Sequence, residues 1–364
     1  MSTPGSFQVL SYDNPKDRQK WRSICQSFKE IDIFYYPEYV YLFERKGDGK
    51  AHCFVYYDGE NGIVIYPFLR RRINELPIFN DISDDLTDII SPYGYSGYLR
   101  NISAVNMSNF INAFHNYCLQ NNIVSEFIRF HPILNNFSYC SDNINIREWN
   151  QTVVVDLSLS MDDIWQNISP SCRNKIKKAQ KNHVEIIHDR NFDHLDDFCN
   201  LYTDTMKRLQ AEEYYFFSKS WFKELIKLLP HNSALFHGVY NSSIIMSGIY
   251  IFDRDFIHYF LSGSIYETRH MGANNLLLYE VSIWAKPRGF KYLHLGGGYQ
   301  QDDSLYRFKA SFSRLKTPFY IGNVIHDHDC YHYLARRRES AASKESKYSQ
   351  FFPAYRTPMQ ESAL

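Results

Sequence analysis

Between a strand-like stretch at Phe256–Ser262 and an apolar-striped run from about Asn275 to Ala285 lies the hexapeptide Arg269-His270-Met271-Gly272-Ala273-Asn274. A strand-to-helix junction aims free backbone N–H groups and the positive end of a helix dipole at one point, which suits a pyrophosphate. Gly272 permits close backbone approach; a plain turn would use the same glycine. A second concentration of charge is the segment Ser171–Lys181 (SCRNKIKKAQK). Its Arg173, Lys177 and Lys181 recur at i, i+4, i+8 and share one helix face. Such a face could hold the diphosphate of a nucleotide-linked acceptor or a tRNA backbone, or could simply be solvated.

Other groupings carry less chemistry. Ser91–Gly97 (SPYGYSG), with Tyr93 and Gly94 at its centre, reads as a binding loop or a structural turn. His326, Asp327, His328, Asp329 and His332 form a patch whose spacing fits no common zinc site, and a solvated loop is the expectation. No G-x-S-x-G, Walker A or HExxH motif occurs, which leaves hydrolase and kinase readings without support.

The elements that must position these residues are clearest in the second half. His183–His188 reads as a strand, and Asp193–Gln210 and Ser218–Leu229 as helices. Strands follow at Ala234–Tyr240, Ser243–Phe252 and Phe256–Ser262, joined by hairpin-like Asn241-Ser242 and Asp253-Arg254. After the helix with Leu277, Val281 and Trp284 on one stripe come a strand at Lys291–Leu295, three glycines, a helix at Ser304–Phe312 and a strand at Thr317–Gly322. Hairpins followed by a strand–helix–strand crossover predict a mixed sheet with helices on both faces, an α/β (α+β) architecture. The first half echoes this more weakly. Strands at Ala51–Tyr57 and Ile63–Leu69 precede the Ser91–Gly97 loop, a helix near Ala104–Asn121 and a strand at Glu126–His131. The repeated loop–helix–strand unit predicts two related domains, 1–150 and 151–330, with a C-terminal helix and tail at 331–364. In that tail Phe351–Arg356 (FFPAYR) is aromatic enough to dock back.

Composition sets the wider frame. The chain has 364 residues, enough for about two domains. It carries 40 Lys+Arg against 40 Asp+Glu, so non-specific attraction to nucleic acid is absent. Aromatics reach 17%, far from a disordered composition. Seven cysteines, an odd number without a CxxC pair, argue against a zinc ribbon or a secreted disulfide framework. The N-terminus lacks an apolar signal-peptide core and no run is long enough to span a membrane, so the cytosol is the expected compartment.

The element order of the second half is similar to that of the GNAT acyltransferase fold. With LHLGGGYQQDDSLYRFKASF (Leu293–Phe312), SPYGYSG, the basic helix and FFPAYR, the chain resembles the GNAT-like Fem group, which includes the aminoacyl transferases of peptidoglycan cross-bridges. The resemblance implies two tandem GNAT-like domains, the first on the acceptor side and the second with the donor loop. It implies that Arg269, Gly272 and Asn274, an incomplete R-x-x-G-x-G/A pattern, grip the phosphates of coenzyme A. Lys309 falls where the group has a lysine near donor or acceptor phosphates, and it could also stabilise an oxyanion. Tyr306 lies near where GNAT enzymes often place a tyrosine that reprotonates the leaving thiolate. Asp204, Arg208, Glu212, Glu213, Tyr214 and Tyr215 fall in the acceptor wall, with Arg173, Lys177, Tyr93, Gly94, Arg208 and Tyr215 as expected substrate contacts and no base singled out. The implied activity is transfer of an acyl group from acyl-CoA, without a metal, to a primary amine of an amino sugar or a nucleotide- or lipid-linked cell-envelope precursor. The alternatives are an aminoacyl-tRNA donor, with tRNA as partner, and a non-catalytic scaffold that binds a glycan precursor or a partner protein.

Overall fold

The computed structural model describes residues 5–59, 62–140, 144–300, 302–341 and 351–358. The elements are β1 (Ser6–Ser11), α1 (Pro15–Ser27), α2 (Pro37–Glu44), β2 (Lys50–Asp58), β3 (Gly62–Arg72), β4 (Thr87–Ile90), β5 (Leu99–Arg100), α3 (Met107–Gln120) and β6 (Ile123–Arg129). Then follow β7 (Asn145–Asp156), α4 (Met161–Asn167), α5 (Pro170–Lys181), β8 (Glu185–Asp189), α6 (Leu195–Arg208), α7 (Lys219–Leu228), β9 (Ser233–Tyr240), β10 (Ser243–Asp253) and β11 (Phe256–Ser264). The chain ends with α8 (Ala273–Ala285), β12 (Tyr292–Gly296), α9 (Ser304–Ala310), β13 (Lys316–Ile325) and α10 (His328–Ser340). Two compact units emerge: Met1–Glu30 with Phe34–Trp149 and Phe319–Leu364, and Ile31–Ile33 with Asn150–Pro318.

The first unit has the strand order β1-β2-β3-β4-β6-β13, with β5 also on β3. Its parallel pair is β4 and β6, connected through α3. Phe110, Phe114 and Cys118 recur on one face of α3 and bury against Phe54, Tyr66, Phe68 and Ile128. The division differs from the expected 1–150, 151–330 and 331–364. Ile321–Ile325 of β13 pair with Ser125–Arg129 of β6, and Tyr331 and Leu334 of α10 bury with Tyr355 against Ile73, Phe79 and Val124. The C-terminal segment therefore completes the first unit. Tyr355 reaches Ser125 at 2.8 Å and Asp88 at 3.1 Å, so the aromatic tail segment docks as expected.

The 326–332 patch is a helix start rather than a solvated loop. Asp327 caps α10, accepting from the Cys330 N–H at 2.9 Å. His326 is buried beside His115, and desolvation pushes its pKa down to about 3.

The second unit has the order β7-β12-β11-β10-β9-β8. Here the parallel pair is β11 and β12, crossed by α8. Asn241 and Ser242 both adopt positive φ, the backbone of a tight hairpin turn. Leu277, Leu278, Val281 and Ala285 of α8 pack with Cys172, Ile176 and Ala179 of α5 over Tyr250, Ile257 and Leu293. α8 begins at Ala273, ahead of the expected Asn275, because Gly272 at φ +80° sets the helix entry. Among the described residues no helix is long and apolar enough to cross a membrane. The seven cysteines are free thiols.

Candidate functional site

The second unit has an opening at its parallel seam. β11 pairs with β12 only through Phe256↔Tyr292, Ile257↔Leu293 and His258↔His294. On its other side β11 stays paired with β10 as far as Ser264. Past His258 and His294 the two strands therefore part. A bulge accompanies the parting: Tyr250 faces Tyr259 and Ile249 faces Leu261, leaving Phe260 as the extra residue. On the β12 side, the ladder of β11 ends at His258. Donors at such a place can point at a carbonyl oxygen that develops charge.

The first unit closes the corresponding seam with its own chain. The Ser91 N–H donates to Phe127 O at 3.0 Å, the Arg129 N–H to Ser91 Oγ at 3.0 Å, and the Ser96 N–H to Arg129 O at 2.7 Å. Tyr93 O accepts from the Tyr39 hydroxyl at 2.5 Å and Gly94 O from Arg129 Nε at 2.8 Å. A Cβ on Gly94 would lie 2.6 Å from the Phe34 ring. The SPYGYSG segment thus zips one seam shut, which gives Tyr93 and Gly94 a structural role in the first unit.

At the head of α8 the expected loop is a tight 3-10 turn, Glu267–Met271, ending in Gly272. A Cβ on Gly272 would stand 2.5 Å from the Lys175 carbonyl oxygen, so α5 and the start of α8 touch backbone to backbone. Arg269 is exposed, with its guanidinium carbon 3.6 Å from the Tyr266 ring centroid. Arg208, at the end of α6, lies 5.1 Å from the same centroid and donates to Ser264 O at 3.1 Å. Two cations thus share one ring at the end of β11, and α8 opens beyond them. Asn274 is half-buried in the first turn of α8.

The other lip is the Gly296-Gly297-Gly298 loop. Gly296 sits at φ +74°. A Cβ on Gly297 would meet Gln151 O at 2.7 Å, and one on Gly298 would meet Asp303 Oδ1 at 2.3 Å. Asp303 caps α9 and accepts from the N–H groups of Tyr299, Gln300 and Tyr306 at 2.7, 2.9 and 2.7 Å. Burial pushes its pKa up, but these backbone donors outweigh burial and hold it below the usual range. Lys309 donates to Gly297 O at 2.7 Å, and burial lowers its pKa to about 8 against the opposing pull of Asp303. The Tyr306 hydroxyl donates to Gln151 Oε1 at 3.0 Å; burial, with Asp302, raises its pKa. From the same loop the Tyr299 hydroxyl donates to Glu212 Oε1 at 2.5 Å, which ties it to the segment after α6.

The basic helix divides by function. Arg173 Nη1 donates to the carbonyls of Trp165, Gln166 and Ile168 at 3.2, 3.3 and 2.9 Å. It closes the end of α4, which accounts for this arginine without a ligand. Lys177 is exposed, 5.9 Å from the Trp165 ring. Tyr215 is half-buried, and its carbonyl accepts from the Tyr202 hydroxyl at 2.7 Å.

Three residues at this seam escaped sequence reasoning. Asp32, from the short segment that joins the second unit, has Oδ2 2.6 Å from His258 Nε2. His258 Nδ1 lies 3.2 Å from His294 Nδ1. All three are buried. The available signal was two histidines inside strand patterns, FIHYF and YLHLG, which sheet pairing alone could bring together.

Residues 169–310 match a family model described as acetyltransferase (GNAT) domain. No curated protein matches the chain. Among solved structures, FemX superposes with a TM-score of 0.66 at 13% identity, covering 87% of this chain and 98% of its own. A conserved protein of unknown function from Bacteroides thetaiotaomicron gives 0.55 at 11%, covering 87% and 99%. L-PGS from Bacillus licheniformis gives 0.52 at 10%, covering 87% and 94%. The matched segment contains the open seam, the α8 entry and Lys309, so residues 169–310 match a GNAT domain model and the chain shares the fold of FemX.

Proposed function

We propose that this chain is an N-acyltransferase that moves an acyl group from acyl-CoA to a primary amine of an amino sugar or another cell-envelope precursor. The observation that carries the reading is the seam of β11 and β12, which opens past His258 and His294 beside the entry of α8. A thioester seated in the opening presents its carbonyl oxygen to N–H groups of β11. Arg269, Gly272 and Asn274 hold the donor phosphates. The amine nitrogen attacks the carbonyl carbon, a C–N bond forms, the C–S bond breaks, the thiolate takes a proton from Tyr306, and the surplus proton of the attacking nitrogen returns to Tyr306 through water. Lys309, a cation below about pH 8, sits at the β12 lip and offsets charge developing there. Lys177 and Tyr215 contact the acceptor in this reading. Holding both substrates in one geometry supplies much of the acceleration.

A second reading takes aminoacyl-tRNA as donor. Lys175, Lys177, Lys178 and Lys181 are all exposed on α5, and α5 meets the entry of α8 at Gly272. Calorimetric titration with acetyl-CoA and with charged tRNA, at two salt concentrations, separates the two. Saturable acetyl-CoA binding lost in Arg269→Ala supports the first reading. Binding to tRNA alone, weakening steeply with salt, supports the second. Binding to neither overturns both and favours a scaffold role.

A further inference from the structure

We infer that the hydrogen bond between the Tyr299 hydroxyl and Glu212 Oε1 is a strap across the α6 face of the open seam, which the acceptor must pass and which closes over it once bound. The inference rests on the transferase reading and deepens it, because it assigns that face to the acceptor and not to the donor.

Two glycines tell the faces of the seam apart. Across β10 and β11, Ser247 pairs with Gly263 and Gly248 with Ser262. Paired residues share a face and successive residues alternate, so Gly248 and Gly263 look to opposite sides. A Cβ on Gly248 would lie 3.5 Å from the Leu277 side chain of α8, and one on Gly263 would lie 2.3 Å from the Leu201 backbone of α6. Helix α8 therefore covers one face and α6 the other. The expected phosphate contacts Arg269, Gly272 and Asn274 stand at the entry of α8. A donor held there uses the α8 face and leaves the α6 face to the acceptor.

A circuit of contacts encloses the opening on the α6 face. At the end of β11 the Ser264 N–H donates to Thr205 Oγ1 at 3.1 Å, and the Ser264 carbonyl accepts from Arg208 Nη1 at 3.1 Å. Both partners belong to α6. Beyond that helix the Tyr215 carbonyl accepts from the Tyr202 hydroxyl at 2.7 Å, which holds the segment 209–217 against α6. From this segment Glu212 accepts the Tyr299 hydroxyl at 2.5 Å. Tyr299 leads back through three glycines to the end of β12.

The lip is fixed at its backbone and free to move at its tip. Asp303 Oδ2 accepts from the Tyr299 and Gln300 N–H groups at 2.7 and 2.9 Å, and Lys309 holds Gly297 O at 2.7 Å. The Tyr299 side chain is 61% exposed, and the Glu212 carboxylate that it meets is exposed as well. Water competes well for such a bond. Rotation of the Tyr299 side chain alone opens the strap, with no unfolding of the loop. Tyr299 and Glu212 are positioning residues in this scheme.

Three measurements on the full chain test the strap. The first is amide hydrogen exchange. Tyr299→Phe should quicken exchange at least about threefold in the segment 209–217 and leave β10 unchanged. Unchanged exchange in 209–217 overturns the strap, whether or not any substrate is turned over. The second is thiol release from acetyl-CoA with glucosamine as the probe amine. Tyr299→Phe and Glu212→Gln should each raise the KM for glucosamine about three- to tenfold, with kcat and the Kd for acetyl-CoA within about twofold. The double variant should be no worse than either single one, because both remove the same bond. Additive losses, or a loss in kcat alone, overturn the strap. The third joins Tyr299→Cys to Glu212→Cys with a flexible bis-methanethiosulfonate as long as the native pair. Bridging should lower amine-dependent thiol release at least ~20-fold, leave acetyl-CoA binding intact and be reversed by a reductant. Wild-type protein treated with the same reagent controls for Cys140 and Cys330, the half-buried thiols. A bridged protein that keeps the rate it shows after reduction overturns the strap and leaves the transferase reading standing. No acetyl-CoA binding by the wild-type chain overturns that reading instead, with the strap contact still decided by exchange.

Discussion

Lys309 Nζ lies 2.7 Å from the carbonyl oxygen of Gly297, so helix α9 pins the middle of the loop that ends β12. Burial brings the pKa of this lysine down to about 8. The cation is therefore present below pH 8 and lost as pH rises through it. If this cation assists the donor, acetyl-CoA affinity should fall about three- to tenfold between pH 7 and pH 9. Lys309→Arg, charged throughout, should flatten that dependence, and Lys309→Met should give the weaker binding at both values. Titration calorimetry at the two pH values reads all three proteins. An equal slope in Lys309→Arg would assign the pH dependence to another group.

Arg208 and Arg269 share the Tyr266 ring at 5.1 and 3.6 Å. Sequence position suggested an acceptor role for Arg208, but the shared ring groups it with Arg269. Arg208→Ala and Arg269→Ala should each weaken acetyl-CoA binding about tenfold while leaving dephosphorylated pantetheine donors nearly unaffected. Loss of acceptor affinity alone in Arg208→Ala would return that residue to the acceptor side. Raising salt should reduce the effect of both substitutions, because both guanidiniums are exposed.

The element order of the second unit was legible because each strand and helix carries its own period and its own turn residues. The turn before α8 was legible too, since its glycine marks a positive φ. The role of Arg173 was not. Its spacing with Lys177 and Lys181 is that of a solvated or ligand-binding face, whereas its guanidinium turns back on three carbonyls of α4. Helix periodicity fixes a direction around the axis and says nothing about what lies at the end of a long side chain. The Asp32–His258–His294 chain was invisible for a different reason. Its members come from three distant segments, and only strand register brings them together.

Gly272 separates a steric role from a ligand role. Its φ is +80°, and a Cβ there would stand 2.5 Å from a backbone oxygen that no rotamer change can move. Gly272→Ala should destabilise the second unit by about 2–4 kcal/mol, from combined backbone strain and overpacking. Chemical denaturation measures the loss. If stability is unchanged, the close contact of α5 with α8 is not the reason for the glycine.

Glu126, buried on the central strand β6, accepts from the Tyr98 hydroxyl, and burial raises its pKa to about 8. The unfolded carboxyl ionises near its ordinary value of 4.5. Below that pH both states are protonated, and the group carries no penalty. Between pH 4.5 and 8 the unfolded chain releases its proton and the folded one does not, so this residue's contribution falls steadily as pH rises and levels off above 8. Glu126→Gln keeps an oxygen acceptor for Tyr98 and has nothing to ionise. It should stabilise the first unit at pH 7 by an amount on the order of a few kcal/mol, with the gain shrinking toward pH 5. Urea denaturation of both proteins at pH 5, 6 and 7 reads the slope directly. A constant difference across that range would mean that Glu126 is already ionised in the fold, held by partners stronger than its desolvation.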